Sequence, residues 1–359
     1  MREPQILKFL DSGQRGSKFM TFLETLRKDE GPRFHFAHLV LPHEPWRYLP
    51  SGTLYPENEP VPGQTNPPGR GRGWGDDEWL VAQAYQRHLL QVKLVDNLVG
   101  VLLDRLERLD LFERSLIVIT ADHGTSFFPG MPERLTNETN VGSVAGIPLF
   151  VKLPFQKDGR VSDRPVEAID ILPTVTDVLD LSNPGRHLDG SSAFGPRRRE
   201  RRSLGGTRIP RDGTHLAGAI ERRSEVFGSD GGLFDLAPEG TAHLLGRRVE
   251  QLPIGSESAL WADVARAGAY RDAVVEADTF PALLEGTLEG STDTTLIAVA
   301  VDGKIVAVTR TYPSGDRAAF YAMLPPPAFG DPPHAVRLFA FDTYSGGLAP
   351  IASALDLAG

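Results

Sequence analysis

Residues Leu116 to Gly124, reading Leu-Ile-Val-Ile-Thr-Ala-Asp-His-Gly, limit what this chain can fold into more than any other stretch. An unbroken apolar and β-branched run asks for cover on both faces, which is what a strand inside an α/β sheet receives. Asp122 and His123 follow at its carboxyl end, where open α/β sheets hold their ligands, and Gly124 is read as permitting a tight turn there. A carboxylate beside an imidazole suits a divalent cation. The same pair also fits a plainer role, Asp122 capping the next segment and His123 a satisfied core imidazole. A metal site takes three or four protein ligands, so further donors have to come from elsewhere in the chain.

Around this block the pattern alternates helices and strands. Apolar residues recur from Trp79 to Leu109 at helical spacing, and Phe19, Phe22, Leu23 and Leu26 place another helix within Gln5–Lys28. Phe34–Leu41 predicts a strand, stopped by Pro42-His43-Glu44-Pro45, so that His43 sits just past a strand end. Leu49–Gly75 is crowded with Pro and Gly and reads as a long loop of the lid kind. Ile147–Lys152 predicts another buried strand, and Asp170–Leu179 a helix with Pro173 in its first turn. A helix, a short link and an apolar strand together predict a largely parallel sheet.

The formal charge of −9 makes nucleic acid an unfavourable partner, and the absence of cysteine excludes disulfides, thiolate ligands and a cysteine-derived nucleophile. No run approaches about 18 consecutive apolar residues, and Met1–Gly16 is too polar for a signal peptide. After Gly195 the composition shifts. Arg197–Arg202 holds five arginines and reads as a solvated linker. Beyond Thr295, β-rich runs alternate with turns, and Asp302-Gly303 is the strongest hairpin signal. The expected organisation is an α/β domain over residues 1–195, a linker and partly irregular segment over 196–272, and an all-β sandwich over 273–359.

Several blocks in order resemble the sulfatase branch of the alkaline phosphatase superfamily, which includes phosphoglycerol and phosphoethanolamine transferases. They are Phe36-Ala37-His38-Leu39-Val40-Leu41-Pro42-His43-Glu44-Pro45, the helix with Tyr85 and Asp96, Thr120-Ala121-Asp122-His123-Gly124, Ile147–Pro154, Ile169–Thr174 and Leu188–Ser192. The resemblance spans about Phe34 to Ser192 and implies an alkaline-phosphatase-like α/β/α sandwich. It implies that Asp122 and His123 hold a divalent metal ion (Ca, Mn, Mg or Zn), which polarises a sulfate or phosphate ester. It also implies that His43 and Arg134 contact the anion, where a solvated loop histidine and an ordinary surface arginine are the plainer readings. Arg134 is preferred to Lys152 for the basic role, and His38, alternating with Phe36 and Val40, reads as structural.

The departures from the pattern are as informative. No apolar strand ending in acids precedes Phe34, the Cys-x-Pro-x-Arg signature is absent, and Thr311–Arg317 is only a turn-like imitation of it. Asp76-Asp77 lies in the loop and does not replace the acids. The α/β domain is therefore expected to lack its first elements, either because this is the C-terminal part of a longer, membrane-anchored extracytoplasmic protein or because it is a natural remnant. Little turnover is expected of the isolated chain. The expected function is metal-dependent hydrolysis or transfer of sulfate or phosphate esters, glycan-linked or lipid-linked. The alternative is a non-catalytic glycan-binding or scaffold protein working through its C-terminal sandwich.

Overall fold

A computed structural model describes residues 14–28, 31–56, 60–69, 71–181, 188–196, 203–210, 213–228, 232–291 and 294–357. Helix α1 (Gln14–Thr25) buries Phe19 and Leu23 in a cluster with Leu94, Leu98 and Val101, as the spacing of its apolar residues requires. Those partners lie on α2 (Glu78–Arg108), whose N-terminus is capped by Asp77 accepting from Leu80 N at 3.1 Å. Between the two helices, β1 (Gln64–Thr65) and β2 (Gly73–Trp74) pair antiparallel.

Phe34–Leu41, expected as a strand, forms no ladder, and Phe34 and Phe36 are 86% and 76% exposed. Its alternation calls for a neighbouring strand, and among the described residues none lies alongside it. The expected lid is tethered, because Trp74 Nε1 donates to Ser126 O at 2.7 Å and Gly75 N to Gly63 O at 2.9 Å.

Strand β3 (Ile117–Thr120) is where the apolar run places it. It pairs with β4 (Leu149–Lys152), but antiparallel, from Ile117↔Lys152 to Thr120↔Leu149. The parallel arrangement expected needs a crossover helix long enough to carry the chain back. The intervening segment offers only α3 (Val141–Ala145), 5 residues long. Helix α4 (Ile171–Val178) continues a 3₁₀ turn at Ala168–Asp170 and has Pro173 in its first turn, as expected. The arginine run at 197–202 lies outside the described residues. The short pair β5 (Ser203–Leu204) and β6 (Thr207–Arg208) is followed by α5 (Thr214–Phe227). Arg222 of α5 donates to Phe127 O at 3.1 Å and pairs with Glu78 of α2 at 2.5 Å, tying the loop after β3 to the start of the long helix.

The C-terminal region is one continuous sheet, where two stacked sheets were expected. Its strands are β7 (Trp261–Val264), β8 (Leu283–Glu289), β9 (Leu296–Val301), β10 (Lys304–Arg310), β11 (Tyr312–Ser314), β12 (Arg317–Met323), β13 (Val336–Asp342) and β14 (Gly347–Ser353). They run in the order β10-β9-β13-β14-β7-β8-β12-β11, antiparallel except for β14 and β7. The sheet curls until Thr309 Oγ1 on β10 donates to Tyr321 O on β12 at 2.7 Å. The concave side then encloses Ile297, Val299, Leu283 and Phe320. Leu244 and Val249, from the stretch read as linker, cover Ala298, Ala300 and Ile305 on the other face. Strands covered on both sides show unbroken burial instead of alternation, as β9 and β10 do.

The first turns of α2 pack against the curled sheet. Leu80 and Leu90 join its apolar core, and Gln83 Nε2 donates to Tyr321 O at 2.6 Å. The molecule is therefore a mixed α/β structure whose two halves share a core. Among the described residues no helix is long and apolar enough to cross a membrane.

Candidate metal and oxyanion site

Thr120 ends β3 by donating its hydroxyl to Pro148 O at 2.8 Å, and the chain leaves the sheet as Ala121-Asp122-His123. Asp122 Oδ1 accepts from His123 N at 2.9 Å, which fixes the carboxylate and leaves Oδ2 directed at the imidazole. His123 Nδ1 lies 2.8 Å from Gly124 O. A carbonyl can only accept, so the ring proton is on Nδ1 and the lone pair is on Nε2. That Nε2 stands 3.6 Å from Asp122 Oδ2. Two ligands about 2.1 Å from a tetrahedral ion are about 3.4 Å apart, so the pair has the bite of a small divalent cation. Its number of donors falls short, because the described residues contain no group of three or more His, Cys, Asp and Glu side chains able to hold a metal.

The little burial Asp122 has opposes ionisation, but the His123 backbone N–H and the imidazole outweigh it and hold the carboxyl below its ordinary value. His38 contributes in the same direction. It is exposed, and so are Phe36 and Val40, so the structural role read from its alternation is not the one it occupies. Gly124 is required for a reason other than the expected turn. It has no positive φ, but a Cβ there would stand 2.0 Å from Ser143 O of α3, while its N–H donates to Val144 O at 2.8 Å.

His43 and Arg134, 91 positions apart, meet directly, with Arg134 Nη2 at 2.5 Å from His43 Nε2. Guanidinium can only donate, so Nε2 accepts, and Nδ1 carries the proton toward Glu44 O at 2.7 Å. The backbone around His43 is gripped from both helices. Arg15 of α1 donates to His43 O and Glu44 O, and Gln91 of α2 to His43 O at 2.9 Å. Both His43 and Arg134 are solvent-exposed. Lys152 points elsewhere, donating to the carbonyls of Phe112, Glu113 and Ser115. The segment 38–43 connects the two pairs along the chain, with His38 acting electrostatically on Asp122 and His43 meeting Arg134.

Behind His43 and Arg134 lies a group that sequence reasoning missed. Glu44 and Glu133 are largely buried, and Gln64 Nε2 donates to both, at 3.0 and 2.7 Å. Arg72 pairs with Glu44 Oε1 and lies 3.8 Å from Glu133 Oε2. Burial raises the Glu133 carboxyl above its ordinary value, with Glu44 adding to the shift and Gln64, Arg72 and Arg134 opposing it. The adjacency of Glu44 to His43 and of Glu133 to Arg134 was visible in the sequence. Nothing in the Pro-Gly-rich loop marked Gln64 or Arg72.

β3 is half-buried where the apolar run called for cover on both faces, and the Asp-His pair at its end and the exposed His43–Arg134 pair are the groups that a cation and an oxyanion would use. Residues 16–181, just under half of the chain, match the family model described as Sulfatase, the family that the motifs of this segment resemble. No curated protein matches the chain.

Proposed function

We propose that this protein binds the sulfate or phosphate group of an ester at Arg134, which His43 orients, next to a divalent cation held by Asp122 and His123. The observation that supports it most is the 3.6 Å spacing of Asp122 Oδ2 and His123 Nε2, each left available by the hydrogen bond its other atom makes. A bound cation would supply positive charge against the ester oxygens. Arg134 would donate to those oxygens with the N–H groups not directed at His43, and His43 would orient the guanidinium through Nε2. The substrate class is an anionic ester, glycan-linked or lipid-linked.

Cleavage by the residues described here is not part of this reading, because an ester needs an attacking atom and two donors hold a cation weakly. Of the hydroxyls flanking the pair, Thr120 donates to Pro148 O and Ser126 is fully buried. The scaffold alternative, with the tail acting alone, is less well supported. The tail's core includes Leu80 and Leu90 of α2, which removal of residues 1–195 would strip away.

Titrating the purified chain with Mn²⁺ tests the reading. Weak saturable binding is expected, abolished by Asp122→Ala and by His123→Ala with the thermal midpoint unchanged. Mn²⁺ binding that survives both substitutions would refute it.

A further inference from the structure

We propose that Gln64 is a positioning residue for oxyanion binding: by bridging Glu44 and Glu133 it holds Arg134 against His43. The inference rests on the oxyanion reading of that pair and goes on to what controls its geometry. Each glutamate is the chain neighbour of one member of the pair, and because the backbone of residues 42–44 is anchored, a link from Glu44 to Glu133 would draw Arg134 toward His43. The two carboxylates are largely buried and share one donor, an arrangement that repels unless positive charge and donors intervene. Gln64 Nε2 supplies a hydrogen bond to each at 3.0 and 2.7 Å, and Arg72 supplies the charge.

The bridge is built into the backbone as well. Gln64 lies on β1 opposite Trp74 of β2, Glu133 N donates to Arg72 O at 3.0 Å, and Gly73 bridges Pro132 antiparallel. The hairpin is thus an extra strand laid along residues 131–133, its two polar side chains inserted between the glutamates. The backbone of residues 42–44 has independent support from Arg15 and Gln91, so loss of the Gln64 amide should change the pair's geometry without unfolding its surroundings.

The test uses the full chain, inorganic sulfate as the probe, and two readouts. Sulfate affinity is measured by calorimetry. The ¹⁵N signal of His43 Nε2, which reports the Arg134 hydrogen bond, is recorded before sulfate is added. Gln64→Leu is expected to shift that signal and weaken sulfate binding about tenfold, with the thermal midpoint retained. Adding Glu133→Gln to Gln64→Leu is expected to restore both, because the new amide removes one negative charge and can donate to Glu44 itself. A His43 signal indifferent to Gln64→Leu, or a double variant as impaired as the single one, overturns the positioning claim. Absence of sulfate binding in the unaltered protein overturns the oxyanion reading instead, and the ¹⁵N signal still decides the role of Gln64.

Discussion

Glu133 is the residue at which pH should be felt most clearly. Burial raises its carboxyl above the ordinary value, so the folded state holds this proton more tightly than the unfolded chain does. Its contribution to stability is therefore greatest below the unfolded value and declines as pH rises through the raised folded value. Urea unfolding across that range should show stability falling in the unaltered protein and flatter in Glu133→Gln, whose side-chain oxygen still accepts from Gln64. Parallel curves would contradict this. Adjacency made Asp122 and His123 legible in the sequence, since neighbours at a strand end cannot be far apart. His43 and Arg134 could be connected only by resemblance to a family, because their meeting depends on two loops converging. Gln64 was illegible, as a glutamine in a polar loop carries no period and no charge. Gly124 was singled out correctly but for the wrong reason: the sequence shows that a side chain is missing, not which backbone atom needs the space.

Helix α2 and the curled sheet meet through Thr309, a fully buried hydroxyl. It accepts from Trp79 Nε1 and Gln83 Nε2, both at 3.3 Å, and donates to Tyr321 O at 2.7 Å. Thr309→Val keeps the shape but deprives the buried Trp79 N–H of its acceptor, so a loss of about 1–3 kcal/mol is expected in urea unfolding. A loss near zero would mean that the contact is incidental. The hairpin was the most legible element of this region. Asp302 and Gly303 adopt φ of 49° and 77°, both left-handed as a two-residue turn requires, and connect β9 to β10 as the dipeptide predicted. The strand expected at Phe34–Leu41 failed because alternation records what a segment needs on either side and not whether a partner is present. The direction of β4 was equally hidden, since an apolar run reads the same in both senses.

The division expected from composition does not coincide with the division of the core. Composition breaks near the arginine run, whereas burial runs from Tyr55, Leu80 and Leu90 into β8, β9 and β12, and Leu244 and Val249 close the far face of the sheet. Charge and Gly content report solvent exposure along the chain, and they say little about which distant segments pack together. The candidate site is assembled across the N-terminal half in the same way, from the end of β3, the segment before Trp46, the hairpin of β1 and β2, and the loop that α5 fastens to α2. The most direct examination of the whole account is an anomalous difference map from crystals grown with Mn²⁺ and sulfate. A manganese peak about 2.2 Å from both Asp122 Oδ2 and His123 Nε2 is expected, with sulfate bound to the Arg134 guanidinium beside His43. Manganese bound elsewhere, with that pair left bare, would contradict it.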